Sequence, residues 1–313
     1  MKVAVLLVFQ PGGIQTSTVD QCQWLAEKGY APLLVFNSPL TTTDVEQLQP
    51  HIWRAITRSN FGYDFGGYRD ALLSLENWQV QPETLLIFND SVWVPIFPES
   101  NLLERLENNP ADIAGSVWRS RGNRRFLEGY CYRFSGHVLR APEFKKFWAE
   151  LRLTSNKYYV IRRGERGFSY CMQRADYKMD SVYDIETLPD LIALVDGDFL
   201  HKTIRYASNL PFEVKSEHQD LIYAWEVTDR RDWSAQARNF VAKVYQMQAG
   251  YMTFPYAACR LLGFPFLKKT NNDVVVEWRE AFFAAVEAGD LPSPSDAIRK
   301  ELQDSVSRQL DSK

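Results

Sequence analysis

Two short stretches carry residue types suited to a nucleotide diphosphate. The first is Arg58-Ser59-Asn60-Phe61-Gly62-Tyr63-Asp64-Phe65-Gly66-Gly67. Glycines at 62, 66 and 67 let backbone amides approach a ligand or take positive φ. Asn60 and Asp64 can fix ribose or sugar hydroxyls, and Arg58 can pair with a diphosphate. The spacing is neither GxGxxG nor Walker A, so a nicotinamide oxidoreductase lacks support. The second stretch, Leu85–Ser91, is an apolar run that delivers Asn89, Asp90 and Ser91 to a strand tip. There Asp90 could hold a diphosphate-bound Mg²⁺ or Mn²⁺, because hard cations take oxygen ligands. Both stretches also admit a plain reading, in which polar side chains cap the helix or turn that follows.

The surrounding pattern must place these loops. The run within Lys2–Phe9 is continuously apolar, as a parallel strand covered on both faces requires. It is too short for a signal peptide, lacks a small-residue cleavage site and breaks at Pro11-Gly12-Gly13. Val19, Cys22, Leu25 and Ala26 recur at helical spacing over Thr18–Lys28, and Gly29 stops that helix. Ala31–Phe36 reads as a second strand ending at Asn37-Ser38-Pro39, a helix opens at Thr43-Asp44, and Ile52–Thr57 is a third strand. Tyr68–Glu76 reads as helix and Thr84–Phe88 as the fourth strand.

This rhythm predicts an α/β, Rossmann-like, mostly parallel sheet flanked by helices. Ligands in such sheets bind beyond the carboxyl ends of strands, where both stretches fall. A helix over Glu99–Asn108 follows, then strands over Asp112–Val117 and Tyr130–Phe134 with a basic loop between them. Helices are expected over Pro142–Leu151, with Pro at N1, and over Glu165–Arg174, and a strand over Met179–Val182. After about residue 205 the pattern turns helical, over Asp220–Val227, Ala235–Gln248, 274–288 and 296–309. The expected division is an α/β domain over 1–205 and a helical C-terminal subdomain over 206–313.

The chain has 313 residues, 45% of them hydrophobic and 24% charged, with a net charge of −3. That balance gives no global field favouring nucleic acid. Cys22, Cys131, Cys171 and Cys259 form no CxxC pair, which argues against a zinc site or a disulfide framework. No apolar run reaches the roughly 20 residues of a transmembrane helix. A cytoplasmic protein is expected, with peripheral contact at the inner face of the plasma membrane compatible. His51, His137, His201 and His218 show no metal-binding spacing. Of these, His201 lies near the expected domain end. Tyr251, Phe254, Tyr256, Leu261, Phe264, Phe266, Lys268 and Lys269 read either as a membrane interface or as the packing of a helical subdomain.

RSNFGYDFGGYRDAL at 58–72 and LLIFNDSVWVPIFP at 85–98 are the specific part of a wider likeness. FKKFWAEL at 144–151, VIRRGERGFS at 160–169 and GFPFLKK at 263–269 extend it in matching order. On these stretches the chain resembles the rhamnan synthesis protein F family, over roughly residues 1–270. The resemblance implies a GT-A-like, inverting glycosyltransferase, of rhamnosyltransferase type, that builds cell-surface polysaccharide such as O-antigen or capsule. Its donor would be a nucleotide-diphosphate sugar, with dTDP-β-L-rhamnose favoured, and its acceptor a glycan or polyprenyl-linked glycan. It places Asn60, Gly62, Asp64 and Gly66 in the donor pocket and Asp90 at the metal-binding DXD position. Asn89-Asp90-Ser91 holds one acid where two are usual, and Gly164 stands where an aromatic residue commonly precedes the glutamate. Leu127-Glu128-Gly129-Tyr130 likewise departs from a more neutral polar pattern. A non-catalytic sugar-nucleotide or glycan-binding module is the alternative.

An inverting transferase needs a carboxylate to take the acceptor hydroxyl's proton. Glu165 is the first candidate, expected at a helix N-terminus with Phe168, Cys171 and Met172 inward; Glu128 is the second and Asp64 the third. Arg163 and Arg166, with Arg162, flank Glu165, and guanidinium groups there suit a donor or acceptor diphosphate. Arg119, Arg121, Arg124 and Arg125 crowd the basic loop, as phosphate contacts or as a solvated surface.

Overall fold

The computed structural model describes residues 1–247 and 250–310. Alternation between buried strands and half-buried helices builds its sheet. β1 (Lys2–Val8), β2 (Tyr30–Phe36) and β4 (Thr84–Asn89) are buried on both faces, as their unbroken apolar runs require. Between them lie α1 (Thr16–Glu27), α2 (Thr42–Leu48), β3 (Arg54–Thr57) and α3 (Tyr63–Asn77). β5 (Val92–Trp93), α4 (Leu102–Asn108), β6 (Ile113–Gly115), β7 (Trp118–Arg121), β8 (Arg124–Leu127) and β9 (Cys131–Ser135) follow. Then come α5 (Gly136–Arg140), α6 (Pro142–Glu150), α7 (Lys157–Val160), α8 (Gly167–Arg174) and β10 (Met179–Ser181).

The seven-stranded sheet has the order β10-β6-β9-β4-β1-β2-β3. β1 pairs in parallel with β2 and β4, β2 with β3, and β6 with β10; β9 alone runs antiparallel, against both β4 and β6. Phe65 and Tyr68 of α3, Phe144 and Trp148 of α6 and Phe168 of α8 cover one face, packed on Leu7, Val35, Ile87 and Phe134. Phe168 contacts Tyr132, Phe134, Phe144, Phe147 and Trp148 at ring separations of 5.2–6.0 Å.

Three local expectations are corrected. The 118–127 segment is not a loop but the antiparallel hairpin β7–β8, in register from Trp118↔Leu127 to Arg121↔Arg124. α3 begins at Tyr63, inside the glycine-rich stretch, so Gly66 and Gly67 are helical. Glu165 does not open a helix: Ile161–Arg166 is a π-helical turn joining α7 to α8, with helical dihedrals at both junctions.

The described residues fall into two compact units, one of Met1–Val92 and Asn101–Val182, the other of Trp93–Ser100 and the chain from Tyr183. The position near 205 where the pattern turned helical lies inside the second unit, at the end of α10 (Gly197–Arg205), which follows α9 (Leu188–Ala193). This unit continues through α11 (Lys215–Ala224), α12 (Arg230–Gln246), α13 (Pro255–Ala257), β11 (Leu267–Lys268), α14 (Asp273–Glu287) and α15 (Asp296–Leu310). Gln248 and residues 311–313, included in the expected helix and subdomain, lie outside the described residues. Tyr251, Phe254, Tyr256, Phe264 and Phe266 are buried here, so these rings form core and not a membrane-facing surface. Trp93 joins them, its indole N–H donating to Glu301 Oε2 at 2.7 Å. Among the described residues no helix is long and apolar enough to cross a membrane.

Candidate active site

The carboxyl ends of β1, β2, β3 and β4 converge because parallel pairing brings their tips level. Asn37 N–H donates to Val8 O, Arg58 N–H to Phe36 O and Asp90 N–H to Leu7 O, each at 2.8–3.0 Å. Asp90 Oδ2 accepts from the Phe9 N–H at 2.7 Å, which fixes the carboxylate at the β1–β4 junction. Asn89 is buried; its Oδ1 accepts from Ser91 N–H and Oγ–H, and its Nδ2 donates to Asp64 Oδ2 at 3.0 Å. The two stretches singled out by sequence are therefore joined side chain to side chain.

Within the first stretch the roles divide. Gly62 takes φ 82° and caps α3. A Cβ on Gly66 would lie 2.4 Å from Phe61 O, and one on Gly67 would lie 1.8 Å from Leu7 Cδ1. Gly66 and Gly67 thus permit close packing rather than unusual dihedrals. Arg58 turns inward: Nε donates to Asp70 Oδ2 at 2.5 Å, Nη1 to Asn37 Oδ1 at 2.9 Å and Nη2 to Phe61 O at 2.6 Å. With its side chain 9% exposed, Arg58 braces the loop and is not presented as a diphosphate ligand. Asn60 Oδ1 accepts from Asn37 Nδ2 at 2.8 Å. Asn37 was passed over as a turn residue; its place at a strand tip before Ser38-Pro39 was the available signal.

Asp64 is half-buried, and its pKa is pushed up to about 6, first by desolvation and next by the charge of Asp90, against the opposing pull of Lys157 and Asn89. Two carboxylates facing one another at a strand-end crevice attract a cation. No group of three or more His, Cys, Asp or Glu that could hold a metal occurs among the described residues. The donor set therefore fits an ion shared with diphosphate oxygens, not one held by the protein alone. His201 lies in the second unit, stacked on Trp225 with ring centroids 4.2 Å apart, and has no such set around it.

Lys157 was also missed, because sequence gave no reason to bring residue 157 to residue 64. The link is the segment before α7: Tyr63 Oη donates to Ser155 O at 2.9 Å, and Arg69 to Leu151 O and Ala149 O at 3.4 and 3.2 Å. Asn156 caps α7 by accepting from Tyr158 and Tyr159 N–H.

Glu165 meets the site through Gly129. Its Oε1 accepts from Gly129 N–H at 2.7 Å, while Gly129 O accepts from Tyr68 Oη at 2.9 Å. The next residue, Tyr130, offers its carbonyl to Asn89 N–H at 3.3 Å. Phe65 packs between them: a Cβ on Gly164 would lie 2.4 Å from Phe65 Cγ, and one on Gly129 would lie 3.2 Å from Phe65 Cε2. Gly164 is thus the residue that lets the π-helical turn close over Phe65. π-Helical turns insert one extra residue in a helix and concentrate at functional sites. Glu128 is buried, with Oε1 3.5 Å from Arg119 Nε. Arg166 lies over the Phe126 ring at 5.5 Å. Arg163 is not brought to this place: it lies over Tyr159 at 5.1 Å and lines a groove with Phe147, Glu150 and Arg152.

The family model described as rhamnan synthesis protein F matches residues 33–214. The uncharacterized protein y4gN of Sinorhizobium fredii is 32% identical over 309 residues, spanning 96% of this chain and 78% of that protein. Among solved structures, S. aureus TarS in complex with UDP is 12% identical, with 80% of this chain and 93% of that one covered at a TM-score of 0.33. The glycosyltransferase GlyE of Streptococcus pneumoniae is 11% identical, with 79% and 64% covered and a TM-score of 0.33. A 4-diphosphocytidyl-2C-methyl-D-erythritol synthase is 12% identical, with 59% and 89% covered and a TM-score of 0.37.

Proposed function

The chain belongs to the rhamnan synthesis protein F family, and we propose that this glycosyltransferase of polysaccharide biosynthesis moves a sugar, with inversion, from a nucleotide-diphosphate donor to a glycan or polyprenyl-linked acceptor. One observation carries the reading. Asp64, Asn89 and Asp90 meet at the strand tips, and a backbone link through Tyr130 and Gly129 leads from them to the Glu165 carboxylate.

In this reading Asn60 and Asp64 fix donor hydroxyls, a role the plain hydrogen-bonding chemistry of both side chains allows. Asp90 and Asp64 would share a divalent ion with the diphosphate, which when bound neutralises charge on the departing phosphate. Glu165 accepts the acceptor hydroxyl's proton as that oxygen bonds to the anomeric carbon and the bond to the diphosphate breaks. Arg166 stands beside Glu165 in sequence and offers a cation to a phosphate of donor or acceptor. A dTDP-β-L-rhamnose-like donor is favoured by the family, and the setting would be cytoplasmic.

The alternative is a binding module without turnover. It draws on the bond from Gly129 N–H to Glu165 Oε1, which gives this carboxylate a structural task as well. Purified protein incubated with dTDP-, UDP- and GDP-sugars, with and without Mg²⁺ or Mn²⁺, separates the two. Slow donor hydrolysis or transfer supports the enzyme; thermal stabilisation by nucleotide with no turnover of any donor supports the module.

A further inference from the structure

The hairpin β7–β8 concentrates charge that the active-site reading leaves unused. Residues 118–127 contain four arginines and no acid, in a chain whose net charge is −3. Strand alternation and the pairs Arg119↔Phe126 and Arg121↔Arg124 put Arg119, Arg121, Arg124 and Phe126 on one face. Arg166 extends that face by lying over Phe126 at 5.5 Å. Arg124 lies over the Tyr170 ring at 5.2 Å, and on the opposite face Arg125 lies over Trp118 at 5.2 Å.

The hairpin is braced rather than loose. Gln173 Nε2 donates to Arg125 O at 3.1 Å, and Leu127 N–H to Ser169 Oγ at 3.2 Å. All four hairpin arginines are exposed, and among the described residues Arg121 and Arg124 form no ion pair. Stacking on a ring holds a guanidinium in place while its edge N–H groups stay available to phosphate oxygens.

We propose that this arginine face is an electrostatic contact for an anionic phospholipid surface. A flat phosphate array suits it better than a nucleic acid does. The cations fan over an exposed two-stranded tip, Gly122-Asn123, instead of lining a groove. Tyr170, half-buried beneath Arg124, is a residue type that settles at the headgroup level. The strand β8 runs directly into Glu128 and Gly129, so the contact would hold the Glu165 carboxylate close to the bilayer.

Sedimentation with vesicles tests this on the whole protein. One set is phosphatidylcholine alone, the other an equal mixture of phosphatidylcholine and phosphatidylglycerol. The protein is expected to sediment with the mixed vesicles only, and to be released by salt. Juxtamembrane arginines each contribute roughly fivefold in partitioning, so Arg121→Gln with Arg124→Gln should lower it roughly 30-fold. The same positions changed to Lys should keep it, and Lys146→Gln on α6 should leave it unaltered. Equal binding by the double Gln variant, no binding by the unmodified chain, or retention by poly(U) in place of vesicles would overturn the assignment. Vesicle binding is read without donor or turnover, so it stands or falls apart from the transferase reading.

Discussion

Glu165 and Gly129 are joined by a 2.7 Å hydrogen bond in which the carboxylate Oε1 accepts from the backbone N–H. The same glycine's carbonyl is held by Tyr68. A carboxylate tied at one oxygen has a fixed direction, which is what a general base requires.

Glu165→Gln separates the two tasks. The amide oxygen can still accept from Gly129, so the melting temperature should change little, while proton transfer is lost. Turnover is expected to fall on the order of 10²–10⁴-fold with nucleotide affinity retained. Full activity in that variant would remove Glu165 from the mechanism; Glu128→Gln serves as the parallel measurement on the second candidate.

Asp64 imposes a pH dependence on stability. Its folded pKa, about 6, lies above the unfolded value near 3.9, so the folded state holds the extra proton between those values. Stability from this group is fully present below about pH 4 and is lost as pH rises through 6. Asp64→Asn should therefore stabilise the protein at pH 7.5 by about 1–2 kcal/mol and have little effect at pH 4. Urea unfolding at the two pH values reads the difference; a variant equally or less stable at pH 7.5 contradicts the upward shift assigned to Asp64, set first by its burial and next by the charge of Asp90.

Asp90→Ala addresses the cation. It removes one of the two facing carboxylates and the bond that Phe9 N–H makes to it. Nucleotide affinity in Mg²⁺ or Mn²⁺ should fall about tenfold, the cost of one lost charge-assisted contact, and the difference should shrink in EDTA. Calorimetric titration in both conditions checks this. Affinity indifferent to metal and to the substitution would mean that no ion is shared there.

Gly164→Ala tests the packing of the π-helical turn. The added methyl would sit 2.4 Å from Phe65 Cγ, and Phe65 is buried between Tyr68 and Trp148. A loss of about 1–3 kcal/mol is expected, with Phe65→Leu recovering part of it in the double variant. Gly12→Ala, whose methyl would meet nothing within 4 Å, is the control.

The parallel strands and their tips were legible because they rest on local rules: unbroken apolar runs between turn residues, and a glycine-rich loop beyond a strand end. The pairing of Asp64 with Asn89 was not, since spacing alone does not say which strand lies beside which. The hairpin was hidden by its composition. Arginine at four of ten positions masks the alternation by which strands are read, and only Phe126 and Leu127 are buried. The sequence places Glu165 at a helix start because the inward pattern of Phe168, Cys171 and Met172 begins only after it; in the structure the helical path already runs through 161–166, and the missing Cβ of Gly164 lets it pass over Phe65. A guanidinium before a glycine-rich loop suggests a phosphate ligand, yet Asp70 and the carbonyl oxygens of the Asn37 side chain and Phe61 engage Arg58 first.

The excursion of Trp93–Ser100 into the second unit has a practical consequence for anyone dissecting the chain. No single scission separates the two units, because the polypeptide crosses from one to the other three times. A fragment stopping after Val182 would carry Trp93, Val94 and Ile96, all buried in the intact protein, stripped of the partners Glu301 and Pro265. Such a fragment would expose an oily segment and invite aggregation, so a usable N-terminal piece would need that segment replaced by a polar linker joining Val92 to Asn101. On the ribosome, likewise, those eight residues emerge long before the helices that will cover them.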